Sequence, residues 1–391
     1  MSRPRIDALL MMQEGIQAVT RESIQALQLK KLNALLAREK ARGGFYRWLP
    51  ERLESLEALA SLPFTTEEEL AAKVPGLLLC SQGDIQRVLS DATSGTTGAA
   101  KRVFYTEGDC ARTVQLFMAG LGEFVFPGSV TLIGFPYSGP YGLGDLIARA
   151  ITDLGARPLA LAPGLSYGEL EELLERERPD TFVGMPVQLL SLLRVCGRGS
   201  LRRALVSGDA CPEAVLRGCE ALLGSRLFPH YGSREMALGG AICCPAHEGM
   251  HLRENHVIAE IVDAAGRPLP PGETGELVIT TIGMEAMPLI RYRTGDYTRI
   301  LPGPCPCGSQ VLRLDTVRRK EGAEMAALDE ALFSLPFVAD YRAERRDGRL
   351  ILTVLTCGEG ELPDLDAEIL RRPVRLEDRP LYAGKRKVVE L

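Results

Sequence analysis

The sequence predicts an α/β protein: parallel sheets flanked by helices, a β-rich part after them, and a small α+β cap at the end. Three observations carry this expectation. Short apolar runs at 130–135, 157–161, 181–183 and 203–206 alternate with helical stretches at 141–154, 166–178, 186–195 and 211–223. Such alternation is the signature of strand–helix–strand units with parallel strands. From residue 257 onward the pattern changes to strand-like runs at 257–262, 276–280, 297–301 and 311–314, divided by Pro/Gly-rich turns at 266–275 and 302–306. The chain of 391 residues is also longer than one hydrophobic core usually serves. We therefore expect a large domain over 1–317 and a small, shortened cap domain over 318–391.

Taken in order, residues 6–42 read as an amphipathic helix of mixed charge that packs on the surface. Apolar runs at 85–89 and 103–105 read as two strands with a loop between them. The cap reads as a helix at 323–333, a strand at 337–344, a turn at Asp347-Gly348 and a strand at 349–355. A helix near 364–371 and a last strand complete it.

Composition narrows the function. With 46% hydrophobic and 25% charged residues, the chain is typical of a soluble globular protein. A net charge of -5 gives no basic surface for nucleic acid. The sequence has no apolar run long enough to span a bilayer, and its N-terminus lacks the pattern of a signal peptide. The expectation is a cytoplasmic protein with no nucleic-acid and no membrane partner. Six of its ten cysteines (Cys80, Cys110, Cys196, Cys211, Cys219 and Cys357) are scattered among apolar or helix-forming neighbours and read as small buried hydrophobes.

The loop Asp91 to Lys101 carries the strongest chemical signal. Thr93, Ser94, Gly95, Thr96, Thr97 and Gly98 put four hydroxyls and two glycines in six positions, and Lys101 follows. Glycines let backbone N–H groups approach a polyphosphate, hydroxyls donate hydrogen bonds, and the lysine adds positive charge. It is not a Walker loop, because Gly95 and Gly98 are too close and Lys101 is separated from Gly98. Two further segments stand in order behind it: His230-Tyr-Gly-Ser-Arg-Glu-Met236 and Arg291-Tyr-Arg-Thr-Gly-Asp296. The remaining cysteines cluster with histidines. Cys243 and Cys244 precede His247 and His251, and Cys305-Pro-Cys307-Gly308 follows. A Cys-x-Cys-Gly turn sets two thiolates on one side of a tight loop, and Cys244 and His251 would complete a tetrahedral Cys3His zinc site. Cys243 or His247 would serve as a replacement ligand.

Together these segments resemble the adenylate-forming (AMP-binding) superfamily, and its phenylacetate–CoA ligase-like branch in particular. The resemblance runs from the first helix to at least Arg319. It implies ATP-dependent activation of a carboxylic acid to an acyl-adenylate, then transfer to coenzyme A with release of AMP and pyrophosphate. ATP, Mg²⁺, coenzyme A and a structural Zn²⁺ are the expected cofactors. An aryl acid such as phenylacetate is the family-level substrate.

By the same resemblance Thr93 to Gly98 and Lys101 clamp the phosphates, and Glu235 holds Mg²⁺. Tyr231, Gly232 and Ser233 line the nucleotide site, and Ser207, Gly208 and Asp209 pack against adenine. Asp296 accepts from the ribose, and Arg318 or Arg319 marks the hinge and a second ribose contact. Lys385 is the catalytic lysine of the adenylating half-reaction. The Gly/Pro/aromatic stretch containing Tyr137, Gly139, Tyr141 and Gly142 is the expected wall of the acid pocket. Partners would be the small acid, CoA and, for self-association, a second copy in a homodimer. The chain departs from the family after Arg319, where the hinge aspartates are missing and the cap is shortened. It also has Ala100 where many relatives carry proline, and Asp209 where many carry glutamate. Two other readings remain at this level: an adenylating enzyme with a non-CoA acceptor, and a nucleotide-binding regulatory protein that has lost catalysis.

Overall fold

The computed structural model describes residues 4–90, 101–319, 322–381 and 385–391. The chain divides into two compact units. The first comprises Met1–Glu123, Gly139–Tyr141 and His230–Arg318; the second comprises Phe124–Ser138, Gly142–Pro229 and Arg319–Leu391.

In the second unit, strands Arg157–Ala160, Val130–Ile133, Thr181–Gly184 and Arg203–Val206 lie side by side in that spatial order, all parallel. Phe228 and Pro229 extend the sheet beyond Arg203–Val206, again in parallel. Every residue of Thr181–Gly184 is buried, as expected for a central strand covered on both faces. The crossover helices are Leu143–Asp153, Tyr167–Glu177, Pro186–Val195 and Glu213–Leu223. Local chemistry sets their ends. Ser166 caps its helix by accepting from the Glu169 N–H, and Pro186 supplies the fixed φ of a first helical turn.

Residues 319–391 belong to the same unit. Helix Ala323–Phe333 precedes a four-stranded sheet in the order Glu368–Pro373, Arg349–Thr356, Val338–Arg346, Val389–Glu390. The helix expected near 364–371 is instead the strand Glu368–Pro373, parallel to Arg349–Thr356. Sheet pairing overrides the local helical propensity there. Leu190, Val215 and Cys219 share one apolar cluster with Leu332, Phe333 and Tyr341. The Arg194 guanidinium also donates to the carbonyls of Phe333 (2.7 Å) and Val338 (2.5 Å).

In the first unit, the N-terminal segment forms two helices, Arg5–Glu14 and Arg21–Arg42, rather than one. Gly15, at φ 67°, ends the first in the left-handed conformation that glycine adopts without strain. The two expected strands, Ile85–Ser90 and Arg102–Thr106, pair antiparallel. Strands Ile258–Val262, Gly275–Thr280 and Tyr292–Thr298 form an antiparallel sheet. A second antiparallel set consists of Ala241–Cys243, Met250–Leu252 and Arg313–Leu314, with His230 and Tyr231 beside Ala241–Cys243. Among the described residues no helix is long and apolar enough to cross a membrane.

Candidate active site and metal centre

The chain emerges from strand Phe228–Tyr231 into a tight 3-10 turn, Arg234–Met236, that holds Glu235. The backbone closes on itself here. A Cβ on Gly232 would lie 2.3 Å from the Leu238 carbonyl oxygen, so only glycine fits. Ser233 precedes the turn, and its carbonyl accepts from Leu238 N–H at 2.8 Å. Glu235 is 5% exposed, and Lys101 Nζ approaches its Oε1 to 2.7 Å. Burial would raise the Glu235 carboxyl, but the Lys101 ammonium outweighs it and holds the group below the usual carboxylate range. Burial likewise pulls Lys101 down, while Glu235 and the more exposed Glu67 (3.1 Å) hold it above its ordinary value. Both shifts describe an ion pair that stays charged.

A second pair of expected residues meets a few residues away in sequence. Tyr231 Oη donates to Asp296 Oδ2 at 2.7 Å. Asp296 lies on strand Tyr292–Thr298, is 6% exposed, and follows Gly295 at φ 71°. The strand begins five residues earlier than the 297–301 run predicts, so the Arg-Thr-Gly-Asp segment is itself strand. Thr93, Ser94, Gly95, Thr96, Thr97 and Gly98 lie outside the described residues; Lys101 lies inside. Arg318 and Arg319 form a two-residue exposed strand, with Arg318 ending the first unit and Arg319 opening the next stretch of the second.

In the second unit, Ser207, Gly208 and Asp209 follow strand Arg203–Val206 directly. Ser207 is 8% exposed, and its N–H donates to the Gly184 carbonyl at 3.0 Å. Gly208 sits at φ 84°, and a Cβ there would lie 2.8 Å from the Phe135 ring. Asp209 Oδ2 accepts from the backbone N–H of Arg386 at 2.8 Å, which puts the exposed Lys385 one residue from that contact. Of the expected acid-pocket residues, Tyr137 is 40% exposed, and burial together with Asp145 pushes its hydroxyl up to about 12. Gly142 precedes helix Leu143–Asp153 as its N-terminal cap residue in this unit. Gly139 and Tyr141 belong to the first unit, at φ 87° and 66°.

The expected metal ligands converge. The donor atoms of Cys244, His251, Cys305 and Cys307 all lie within 4.8 Å of one another. Cys244 Sγ is 3.7 Å from Cys305 Sγ, and Cys307 Sγ is 3.4 Å from His251 Nε2. A tetrahedral zinc site with Zn–S of about 2.3 Å and Zn–N of about 2.0 Å has edges of roughly 3.8 and 3.5 Å, so the spacing fits. Arg313 is the clamp that joins the two contributing loops. Its guanidinium donates to the Glu248 carbonyl at 2.8 Å and to the Gly303 and Pro304 carbonyls at 3.2 Å each. Burial pushes His251 down to about 4, which keeps it neutral as a ligand must be, and pushes Cys244 up to about 11. Cys243 and His247 form a separate contact, 3.8 Å from Sγ to Nδ1.

Two arginines matter more than the sequence indicated. Arg291, 2% exposed, grips Glu260 through two nitrogens at 2.9 and 3.0 Å. It also donates to the Ala60 carbonyl at 2.8 Å and to the Leu62 carbonyl, and lies 4.1 Å over the Phe64 ring. Arg386 sits in the basic run Lys385-Arg-Lys387, yet its side chain is 4% exposed and ion-paired. A lone basic letter carries no signal of burial; only the paired acids Glu260, Asp329 and Asp340 would have hinted at it.

Residues 92–286 match the family model of the AMP-binding enzymes. Over 97% of its length the chain is 31% identical to the phenylacetate-coenzyme A ligase of Thermus thermophilus, covering 92% of that protein. It is 30% identical to the Escherichia coli phenylacetate-coenzyme A ligase over 74% of the chain and 70% of that protein. Among solved structures, a 2-hydroxyisobutyryl-CoA ligase in complex with 2-HIB-AMP and CoA superposes with a TM-score of 0.69. That match has 21% identity and covers 86% of this chain and 79% of the other, so it speaks to fold.

Proposed function

Because the chain belongs to the phenylacetate–coenzyme A ligase branch of the AMP-binding enzymes, we propose that it activates a carboxylic acid with ATP and passes the acyl group to coenzyme A. A carboxylate is a poor electrophile because its leaving group would be oxide. Attack of the carboxylate oxygen on the ATP α-phosphorus forms a C–O–P link and expels pyrophosphate. The CoA thiolate then attacks the acyl carbon, and AMP leaves. The observation that carries this reading is the pairing of motif residues, Glu235 with Lys101 and Tyr231 with Asp296, each within 2.7 Å.

Each residue has a chemical task. Glu235 is a buried, ionised oxygen donor, the ligand type a hard Mg²⁺ takes. When bound, the ion would offset negative charge on the phosphates. Lys101 carries a permanent positive charge beside Glu235 and would attract the phosphates bound by the neighbouring loop. Asp296, oriented by Tyr231, would accept from ribose hydroxyls. Ser207, Gly208 and Asp209 would flank adenine, with Arg318 or Arg319 as a second ribose contact. Lys385 would stabilise charge on the carboxylate and α-phosphate oxygens. A flat aryl acid is the substrate class we favour, against a wall containing Tyr137. The direct test is product analysis. With ATP, Mg²⁺ and CoA, one or more aryl or short aliphatic acids should give AMP and the matching acyl-CoA mass. Failure to release AMP with every acid would overturn the reading.

Cys244, His251, Cys305 and Cys307 would hold a structural Zn²⁺ that fastens the loop after strand Ala241–Cys243 to the loop before Arg313. The ten free thiols accord with a reducing, cytoplasmic setting. Replacing Cys305 and Cys307 together with serine should remove about one zinc per chain and lower Tm by several degrees, read by metal analysis and thermal melting. Because Cys244 must lose a proton to bind, apparent zinc affinity should rise with pH. Unchanged metal content and Tm would exclude the centre.

A further inference from the structure

Strand Met250–Leu252 leads into the segment Arg253-Glu-Asn-His256, which lies in the interior of the first unit. Arg253 is 0% exposed, and none of its three guanidinium nitrogens hydrogen-bonds to a described residue. The other two buried arginines of this unit are satisfied. Arg291 grips Glu260, and Arg313 holds the carbonyls of two loops. Every N–H of a guanidinium is a donor, and a buried charge left without an acceptor is strongly destabilising.

The nearby acids are bonded elsewhere. Glu14 Oε1 takes the Lys31 ammonium at 2.7 Å and the Asn255 amide at 2.8 Å. Glu285 takes Arg112 Nη2 at 2.5 Å and the Thr106 hydroxyl at 2.7 Å. Asp109, on helix Glu107–Leu121, accepts from the backbone N–H groups of Thr106 (3.0 Å), Glu285 (2.8 Å) and Ala286 (3.1 Å). Burial, and then the Arg112 charge, pulls Arg253 down to about 9, with Asp109 and Glu14 opposing from a distance. Arg253 and Arg112 in turn help to lower Lys31. Burial and these same three cations push His256 well below its usual value, so its imidazole is neutral. Arg112 Nε is buried and unmet among the described residues as well.

Packing around the segment is close. A Cβ on Gly283 would lie 2.3 Å from His256 Nδ1, and one on Gly240 would lie 2.1 Å from Met236 Sδ. Such packing suits a single small ion and not an organic acid or a phosphate ester. Arg253 N–H donates to the Gly240 carbonyl at 2.7 Å, and Gly240 N–H to the Tyr231 carbonyl at 3.0 Å. The buried guanidinium therefore hangs from the segment that closes the turn around Glu235.

We propose that Arg253, with Arg112 Nε and His256 beside it, binds a small monovalent inorganic anion of chloride size. The anion supplies the acceptor that no acid of the unit provides, and it braces the segment 231–240.

Thermal melting of the unaltered protein and of Arg253→Met, in chloride or in gluconate at constant ionic strength, reads this in solution. With chloride at about a hundredfold its Kd, the unaltered protein should gain about 5 °C, and Arg253→Met should gain nothing. In gluconate alone Arg253→Met should melt no lower than the unaltered protein, because an apolar side chain of similar length needs no counter-charge. An equal chloride response in both proteins would overturn the proposal. The site is also checked without any variant. Crystals of the unaltered protein grown with bromide should show an anomalous peak at the Arg253 guanidinium. Ordered water there, with no anomalous signal, would overturn the proposal.

Discussion

Arg291→Ala is expected to lower the unfolding free energy by about 3–5 kcal/mol, the range for removing one partner of a buried ion pair. The residue is 2% exposed and pairs through two nitrogens with Glu260, itself 13% exposed at the side chain. Its loss strands the Glu260 carboxylate, for which burial already raises the carboxyl pKa. It also strands two carbonyls, Ala60 and Leu62, and uncovers the Phe64 ring. Arg291→Lys should be intermediate, because an ammonium keeps the charge but not the planar fork. Denaturant titration with an unchanged m-value measures this. A loss below about 1 kcal/mol, the size seen for exposed pairs, would show that Arg291 does not brace the strand carrying Asp296.

Glu235→Gln should reduce adenylation by about 10²–10³-fold, the usual loss when one electrostatic group of a site is removed, while the chain stays folded. The amide keeps the shape of the side chain but loses the charge that pairs with Lys101. The pH behaviour identifies the pair. Glu235 is depressed in the fold, so its stabilisation is present above the ordinary carboxylate pKa near 4.3 and is lost as pH falls through the lower folded value. Lys101 is elevated, so its share is complete below about 10.4 and is lost as pH rises through the higher folded value. The pair therefore contributes evenly across neutral pH. Glu235→Gln should weaken the acid limb of the stability profile and leave the region around pH 7 flat. Single-turnover adenylation within threefold of wild type would remove Glu235 from the mechanism.

The parallel-sheet half was legible because buried strands and their helices differ in period. The helices at 186–195 and 323–333 and the strand at 203–206 fall where the pattern puts them. The misses have local causes. The 6–42 helix divides at Gly15, a residue that alone decides a left-handed stop. The strand expected at 297–301 starts at Tyr292, because glycine in Arg-Thr-Gly-Asp suggests a turn whereas the sheet absorbs Gly295 next to a register shift at Glu276/Val278. The exposed strand Glu368–Pro373 shows no apolar alternation, so only its pairing with Arg349–Thr356 reveals it. At the site, motif and spacing singled out Tyr231, Asp296, Lys101 and Glu235 and the set Cys244, His251, Cys305 and Cys307 as candidates. The contacts Tyr231–Asp296 and Lys101–Glu235 and the socket of Arg386 were not legible, since each joins residues far apart in sequence.

Acyl adenylation is read out by acid-dependent exchange of labelled pyrophosphate into ATP, run across aryl and short aliphatic acids with and without CoA. Exchange is expected with at least one acid, abolished by Asp296→Ala, with CoA consumed in the same reactions. ATP binding without exchange for any acid would contradict it and favour a nucleotide-binding protein that has lost catalysis.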